Sequence, residues 1–302
     1  MSATTTSAPT STPERILRRL EWKVIRRLDG ALQGGYSTLF YGVGLDLSDL
    51  REYQPQDDIR HIDWNVTARM NTLHVRQYLE DRELTTWFLL DLSRSMSFGR
   101  LERQKLAVLV DFVATLARLL TRGGNRVGAI LYDTLTTRPI PARAGRNQVL
   151  RLIRDLHHEA AGPARTATDL SVLLNAALGA IKRRSLLFLV SDFISEPGWE
   201  RPLSLLSRRH EVIAVRLWDP QESQLPDVGF IYVEDAETGE QLPVDTGDPV
   251  FRRDFLRLAE RRESGLQEGL TRAGVEAYSV STREDLVRAI VRMAALRKMR
   301  RR

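Results

Sequence analysis

Apolar residues recur at helical spacing at Ile16, Leu17, Leu20, Val24, Ile25 and Leu28, behind Pro13, and the stripe stops at Asp29-Gly30. This predicts an N-terminal helix. Between Gly34 and Leu79 the rhythm changes to Gly, Asp, Tyr and β-formers, with short alternations such as Leu73-His74-Val75-Arg76, and predicts a small strand-rich extension. A third rhythm begins at Thr85. Thr86 to Leu90 is a continuous apolar run, as expected of a strand covered on both faces. Further strands are predicted at 126–132, 186–190, 212–217 and 275–280. Helices are predicted at 101–121 (stopped by Gly123-Gly124), 147–157, 170–182, 202–208, 251–271 and from Glu284 onward. Strands alternating with helices imply an α/β fold, Rossmann-like, with a mainly parallel sheet and helices on both faces. The chain thus divides into a disordered stretch at 1–12, an N-terminal helix and strand-rich extension at 13–80, and an α/β domain at 81–302 that ends in a basic helix.

Composition narrows the chemistry. The 302 residues include no cysteine, which excludes a disulfide scaffold, a thiolate metal site and a cysteine nucleophile. No apolar run reaches the ~20 residues of a membrane span, and the Ser/Thr-rich start lacks the basic and apolar regions of a secretory signal, so a cytoplasmic protein is expected. The net charge of +6 suggests nucleic acid at first. However, seven basic residues and no acidic one lie between Arg288 and Arg302, and removing them leaves the rest near neutrality. A second basic helix spans 15–27. Such segments suit electrostatic docking to an acidic partner. Nucleic-acid binding through the basic termini ranks second, because no aromatic stacking platform accompanies the charge.

The candidate chemistry sits at the end of the first buried strand, in Asp91-Leu92-Ser93-Arg94-Ser95. In extended chain Asp91, Ser93 and Ser95 point the same way, just past the carboxyl end of a strand where open α/β sheets bind ligands. One carboxylate and two hydroxyls form an all-oxygen set suited to a hard cation, magnesium above all. The same pattern also serves as a turn whose side chains cap a helix. Thr168-Asp169-Leu170 opens a later helix and Ser191-Asp192-Phe193 follows another buried strand, so Thr168 and Asp192 are expected on the same sheet edge. Thr166 is two residues from Thr168 and is an alternative for its role.

Asp91, Ser93, Ser95, Thr168 and Asp192 together resemble the metal-ion-dependent adhesion site of von Willebrand factor A domains, and the element order agrees across roughly 84–280. The resemblance implies that Ser93, Ser95 and Thr168 contact Mg2+ (or Mn2+ or Ca2+) and that Asp91 and Asp192 act largely through bound water. Upstream, the run from Glu52 to Arg69 (EYQPQDDIRHIDWNVTAR) resembles the signature of the bacterial domain of unknown function 58, departing from it at Gln56. That resemblance implies a partner, a MoxR-type AAA+ ATPase, with this chain as adaptor or co-chaperone. Asp57, Asp58, Arg60, Asp63 and Arg69 around Trp64 are read first as an ion-pair clamp.

No catalytic constellation stands out. His61, His74, His157, His158 and His210 lack metalloprotease spacing, and no serine sits in a nucleophile elbow. A metal-dependent hydrolase is therefore the last of the functional alternatives. The favoured reading is a non-enzymatic module in which a client or partner carboxylate completes the metal's coordination.

Overall fold

The structure, a computed structural model, describes residues 13–32, 49–55, 57, 59, 62–70, 72–77, 85–97, 104–134, 136–159, 167–223, 226–234 and 240–300. The expectation of disorder at 1–12 and the alternative ligand Thr166 lie outside those residues, as do Gln56, Asp58, Arg60 and His61 of the upstream signature.

A six-stranded sheet organises the molecule. In chain order its strands are β3 (Thr85–Asp91), β4 (Arg126–Tyr132), β5 (Thr137–Arg143), β6 (Leu186–Ser191), β7 (Glu211–Trp218) and β10 (Glu276–Ser281). They lie in the spatial order β10-β7-β6-β3-β4-β5, all parallel except β5, which pairs antiparallel with β4 at one edge. β5 carries Pro139 and Pro141 and shows little apolar alternation, so sequence pattern missed it; prolines are admissible there because the strand is on an edge.

Alternate strand residues divide the core in two. Phe88, Leu90, Phe188, Val190, Ile213 and Val215 face one side, where α4 (Lys105–Arg122), α5 (Arg146–Glu159) and α9 (Leu286–Arg300) cover them. Phe88 stacks on Phe188 at 5.5 Å between ring centroids, and Phe112 of α4 meets Phe188 edge-on. Leu89, Ile130, Leu187, Leu189 and Ala214 face the other side, under α6 (Leu170–Ala180), α7 (Glu200–Arg209) and the last turn of α8 (Pro249–Arg272). The predicted two-sided burial of the central strands is what the sheet displays.

The N-terminal helix runs as α1 (Pro13–Leu20), a π turn (Glu21–Ile25) and α2 (Arg26–Leu32), continuing past Asp29-Gly30 where the apolar stripe stops. Ile16, Leu17, Leu20, Ile25 and Leu28 join the α4/α5/α9 side of the core. This segment therefore shares its core with the sheet domain. Arg19–Asp111, Arg118–Glu21, Arg122–Asp29 and Arg27–Asp285 bridge its rim. Those pairs are half exposed and contribute little beside the five buried aliphatic side chains.

Within the segment read as strand-rich, β1 (Asp49–Glu52) and β2 (His74–Gln77) pair antiparallel, and α3 (Trp64–Met70) stands between them in sequence. Asp57 accepts a hydrogen bond from the Gln54 amide, and Asp63 caps α3 by accepting from the Val66 amide. Trp64 is 66% exposed and is not the buried centre of a charge cluster. A hairpin of β8 (Phe230–Glu234) and β9 (Gln241–Asp245), also unforeseen, precedes α8 and exposes Phe230 and Tyr232. Among the described residues no helix is long and apolar enough to cross a membrane.

Candidate metal centre

The candidate site lies at the carboxyl edge of the sheet. β3 ends at Asp91, which pairs with Tyr132 at the end of β4, while Leu90 pairs with Val190 one residue before the end of β6. Strand register therefore sets Asp91 beside Ser191, and the Ser191 hydroxyl donates to Asp91 Oδ2 at 2.7 Å. The Ser93 amide donates to Asp91 Oδ1 at 2.9 Å, folding the chain after the strand back over its carboxylate. A single 3-10 turn, Arg94–Ser97, then carries Ser95 so that the Ser93 and Ser95 hydroxyls lie 3.0 Å apart.

Asp192 follows β6 directly. Its Oδ1 accepts from the Ile194 amide at 2.9 Å, and the Phe193 amide donates to Ser191 Oγ at 2.8 Å. Between these two bonds Phe193 sits at φ +59°, a left-handed conformation uncommon for a bulky residue. Its ring packs edge-on against Trp199 in the core. The aromatic burial and the two side-chain caps hold that strained residue and fix where Asp192 points.

Thr168 is placed from two directions. Its carbonyl accepts from the Glu196 amide at 2.8 Å, and the next amide, Asp169, donates to the Tyr132 hydroxyl at 3.0 Å. Asp169 caps α6 through the Ser171 amide. Thr168 thus stands between the end of β4 and the loop after β6, on the edge that carries Asp91 and Asp192. All five residues are buried: Asp91 and Thr168 at 0% exposure, Ser93 at 1%, Asp192 at 2% and Ser95 at 3%.

Burial is the first cause and the nearby Asp192 charge the second that push the Asp91 carboxyl up to about 6; the bonds from Ser191 and Ser93 oppose the rise. Two carboxylates that repel each other in a dry setting, beside three hydroxyls, make an all-oxygen donor set that fits a hard divalent cation. Among the described residues no three His, Asp or Glu side chains gather as a metal-binding set. An ion here would be held by hydroxyls and water as well as the two acids, which is how magnesium prefers to be bound.

Sequence pattern missed Lys105, Glu222 and Arg216 of this neighbourhood. Lys105, the first residue of α4, is 0% exposed, and its Nζ lies 2.5 Å from Asp192 Oδ2 and 2.5 Å from Glu222 Oε1. Glu222 closes the 3-10 turn Pro220–Glu222, whose cap Asp219 also accepts from the Thr282 hydroxyl. Arg216, in register with Ser191, adds a second cation that interacts with Glu222 and Asp192 and pairs with Glu263 of α8. The described histidines lie elsewhere: His157 and His158 in the last turn of α5, His74 on β2 and His210 at the C-terminus of α7.

A mainly parallel sheet with one antiparallel edge strand, helices on both faces, and Asp-x-Ser-x-Ser at the end of a central strand define a von Willebrand factor A-like domain. The chain belongs to the family described as protein of unknown function DUF58, which matches residues 49–265. Uncharacterized proteins of Mycobacterium tuberculosis and Mycobacterium bovis are each 37% identical to it over 282 residues, covering 93% of this chain and 89% of theirs. Among solved structures, an aerotolerance-related membrane protein from Bacteroides fragilis aligns with a TM-score of 0.48 at 13% identity, over 72% of this chain and 99% of that one. The SpRpn10 VWA domain aligns at 0.40 and 12%, over 69% and 93%.

Proposed function

We propose that this DUF58 protein is a metal-dependent protein-interaction module. Asp91, Ser93, Ser95, Thr168 and Asp192 hold Mg2+, and a carboxylate from a partner protein completes its coordination. The observation that carries this reading is the convergence of two carboxylates and two touching serine hydroxyls in one buried cluster at the carboxyl edge of the sheet. A site with few charged donors leaves the ion electrophilic, and a partner Asp or Glu supplies the missing negative charge. A MoxR-type AAA+ ATPase is the partner that the family resemblance implies, and no membrane span or nucleic acid is required for such docking. The exposed part of the basic C-terminal helix adds long-range attraction to an acidic surface.

The test is capture of the ATPase on immobilised protein with magnesium or with chelator. Capture that needs magnesium supports the reading. Capture that is indifferent to chelator, or tight DNA binding that survives EDTA and weakens with salt, overturns it.

Metal affinity also has an expected pH profile. The ion competes with the proton on Asp91, whose carboxyl is pushed up to about 6. Mn2+ affinity measured by calorimetry falls about tenfold between pH 7 and pH 5, following the ionised fraction of that one group. An ordinary aspartate would leave it flat over the same range.

A further inference from the structure

Lys105 stands where helix electrostatics disfavour it. It is the first residue of α4, and the positive end of a helix dipole repels a cation. The preceding cap, Gln104, makes no side-chain hydrogen bond that would offset this. The ammonium is also wholly buried, which is costly unless carboxylates surround it. Two do. One is Asp192, a member of the candidate metal set, and the other is Glu222, whose second oxygen accepts from the Asp219 amide and so is fixed in the turn after β7.

We propose that Lys105 is a resident cation of the metal centre, shared between Asp192 and Glu222, which lowers the affinity of the site for a divalent ion. This inference rests on the metal-binding reading above and adds how that site is tuned. Asp91, Asp192 and Glu222 supply negative charge, Lys105 supplies a positive charge in contact with the last two, and Arg216 close by is paired with Glu263. A divalent ion entering beside Asp91 and Asp192 meets a positive charge already in contact with one of its two acids. In a buried setting that repulsion is poorly screened. Lys105 also joins the site to the β7 end through Glu222, so the charge state of the centre and the position of that turn are linked by one side chain.

The experiment is calorimetric titration with MnCl2 of the full chain, of Lys105→Met and of Glu222→Gln, with melting curves in EDTA and in Mn2+. Methionine keeps the length of the buried stem and removes the charge. Lys105→Met is expected to bind Mn2+ at least tenfold more tightly than wild type, and to gain a larger rise in melting temperature from Mn2+. Glu222→Gln keeps the ammonium but removes one of the carboxylates that share its charge with Asp192, and is expected to bind at least threefold more weakly. A folded Lys105→Met with unchanged or weaker affinity overturns the proposal, because a purely structural ion pair predicts that result. Should Lys105→Met not fold, Glu222→Gln decides alone: weaker binding supports the proposal and unchanged binding overturns it. Binding by Lys105→Met but not by wild type supports the resident cation and removes the metal-dependent function. If neither binds, both proposals fail.

Discussion

Asp91→Asn should raise the stability of the metal-free protein while weakening divalent-metal binding. The Asp91 carboxyl is pushed up to about 6 by burial and by Asp192, so the folded state holds its proton more tightly than the unfolded chain does. A group raised in this way contributes stability that is present below its unfolded value and lost as the pH rises through about 6. At pH 7 the ionised carboxylate therefore costs the fold up to ~3 kcal/mol. Asparagine removes that charge and can keep both contacts, the one to Ser191 with donor and acceptor exchanged. Its oxygen can accept from the Ser93 amide, and its amide can donate to Ser191 Oγ, a hydroxyl with acceptor capacity to spare. In EDTA the variant is expected to melt roughly 2–6 °C higher than wild type. Mn2+ affinity is expected to fall about 10–100-fold, as when an outer carboxylate of a metal site is lost. A turn-capping role alone predicts the opposite stability change, since the cap would lose its charge-assisted bond. Calorimetry and melting curves on one preparation separate the two.

The five residues proposed to hold the ion could be picked out in the sequence because each is local to a strand end or a helix start. A continuous apolar run such as Thr86 to Leu90 or Leu186 to Val190 announces a parallel strand, and polar residues just past its end fall on the binding edge whatever the rest of the fold does. Lys105 was not legible, because its partners are 87 and 117 residues away and a lysine at the start of an amphipathic helix reads as solvated. The same limit explains the missed strands. β5 is an edge strand with two prolines and only Ile140 fully buried, so it has no burial pattern to betray it. β8 and β9 pair only with each other among the described strands, and their apolar residues remain largely exposed. The N-terminal helix was visible as a stripe. That its five aliphatic residues complete the core of the α/β domain was not, because periodicity shows which face is apolar and not what covers it.

Arg297 is expected to be a structural residue and not part of a partner-facing basic strip. Sequence pattern groups it with Lys298, Arg300, Arg301 and Arg302 as one run of positive charge. In the fold it is 2% exposed, while Arg300 is on the surface. Its guanidinium pairs with Glu211, the first residue of β7, and with Glu276, the first residue of β10. Both glutamates stand at the amino ends of parallel strands, at the opposite end of the sheet from Asp91 and Asp192. Arg297 thereby clamps α9 across the two strands it covers. Arg297→Ala leaves a void and two neighbouring carboxylates without their shared cation, and should destabilise the protein by about 3 kcal/mol. That lies at the low end for breaking a buried pair, because both glutamates are partly hydrated and remain so. Arg300→Ala, on the exposed side of the same helix, should shift the urea midpoint hardly at all. Neither substitution should alter Mn2+ affinity, since distant sites without shared partners behave additively. If Arg297→Ala unfolds at the same urea concentration as Arg300→Ala, the clamp is refuted and the whole run returns to the set of residues free to meet a partner. If it is destabilised with metal binding intact, the electrostatic contribution to docking belongs to the exposed residues beyond it, and a capture assay with Lys298 and Arg300 replaced by alanine reads that contribution without disturbing the fold.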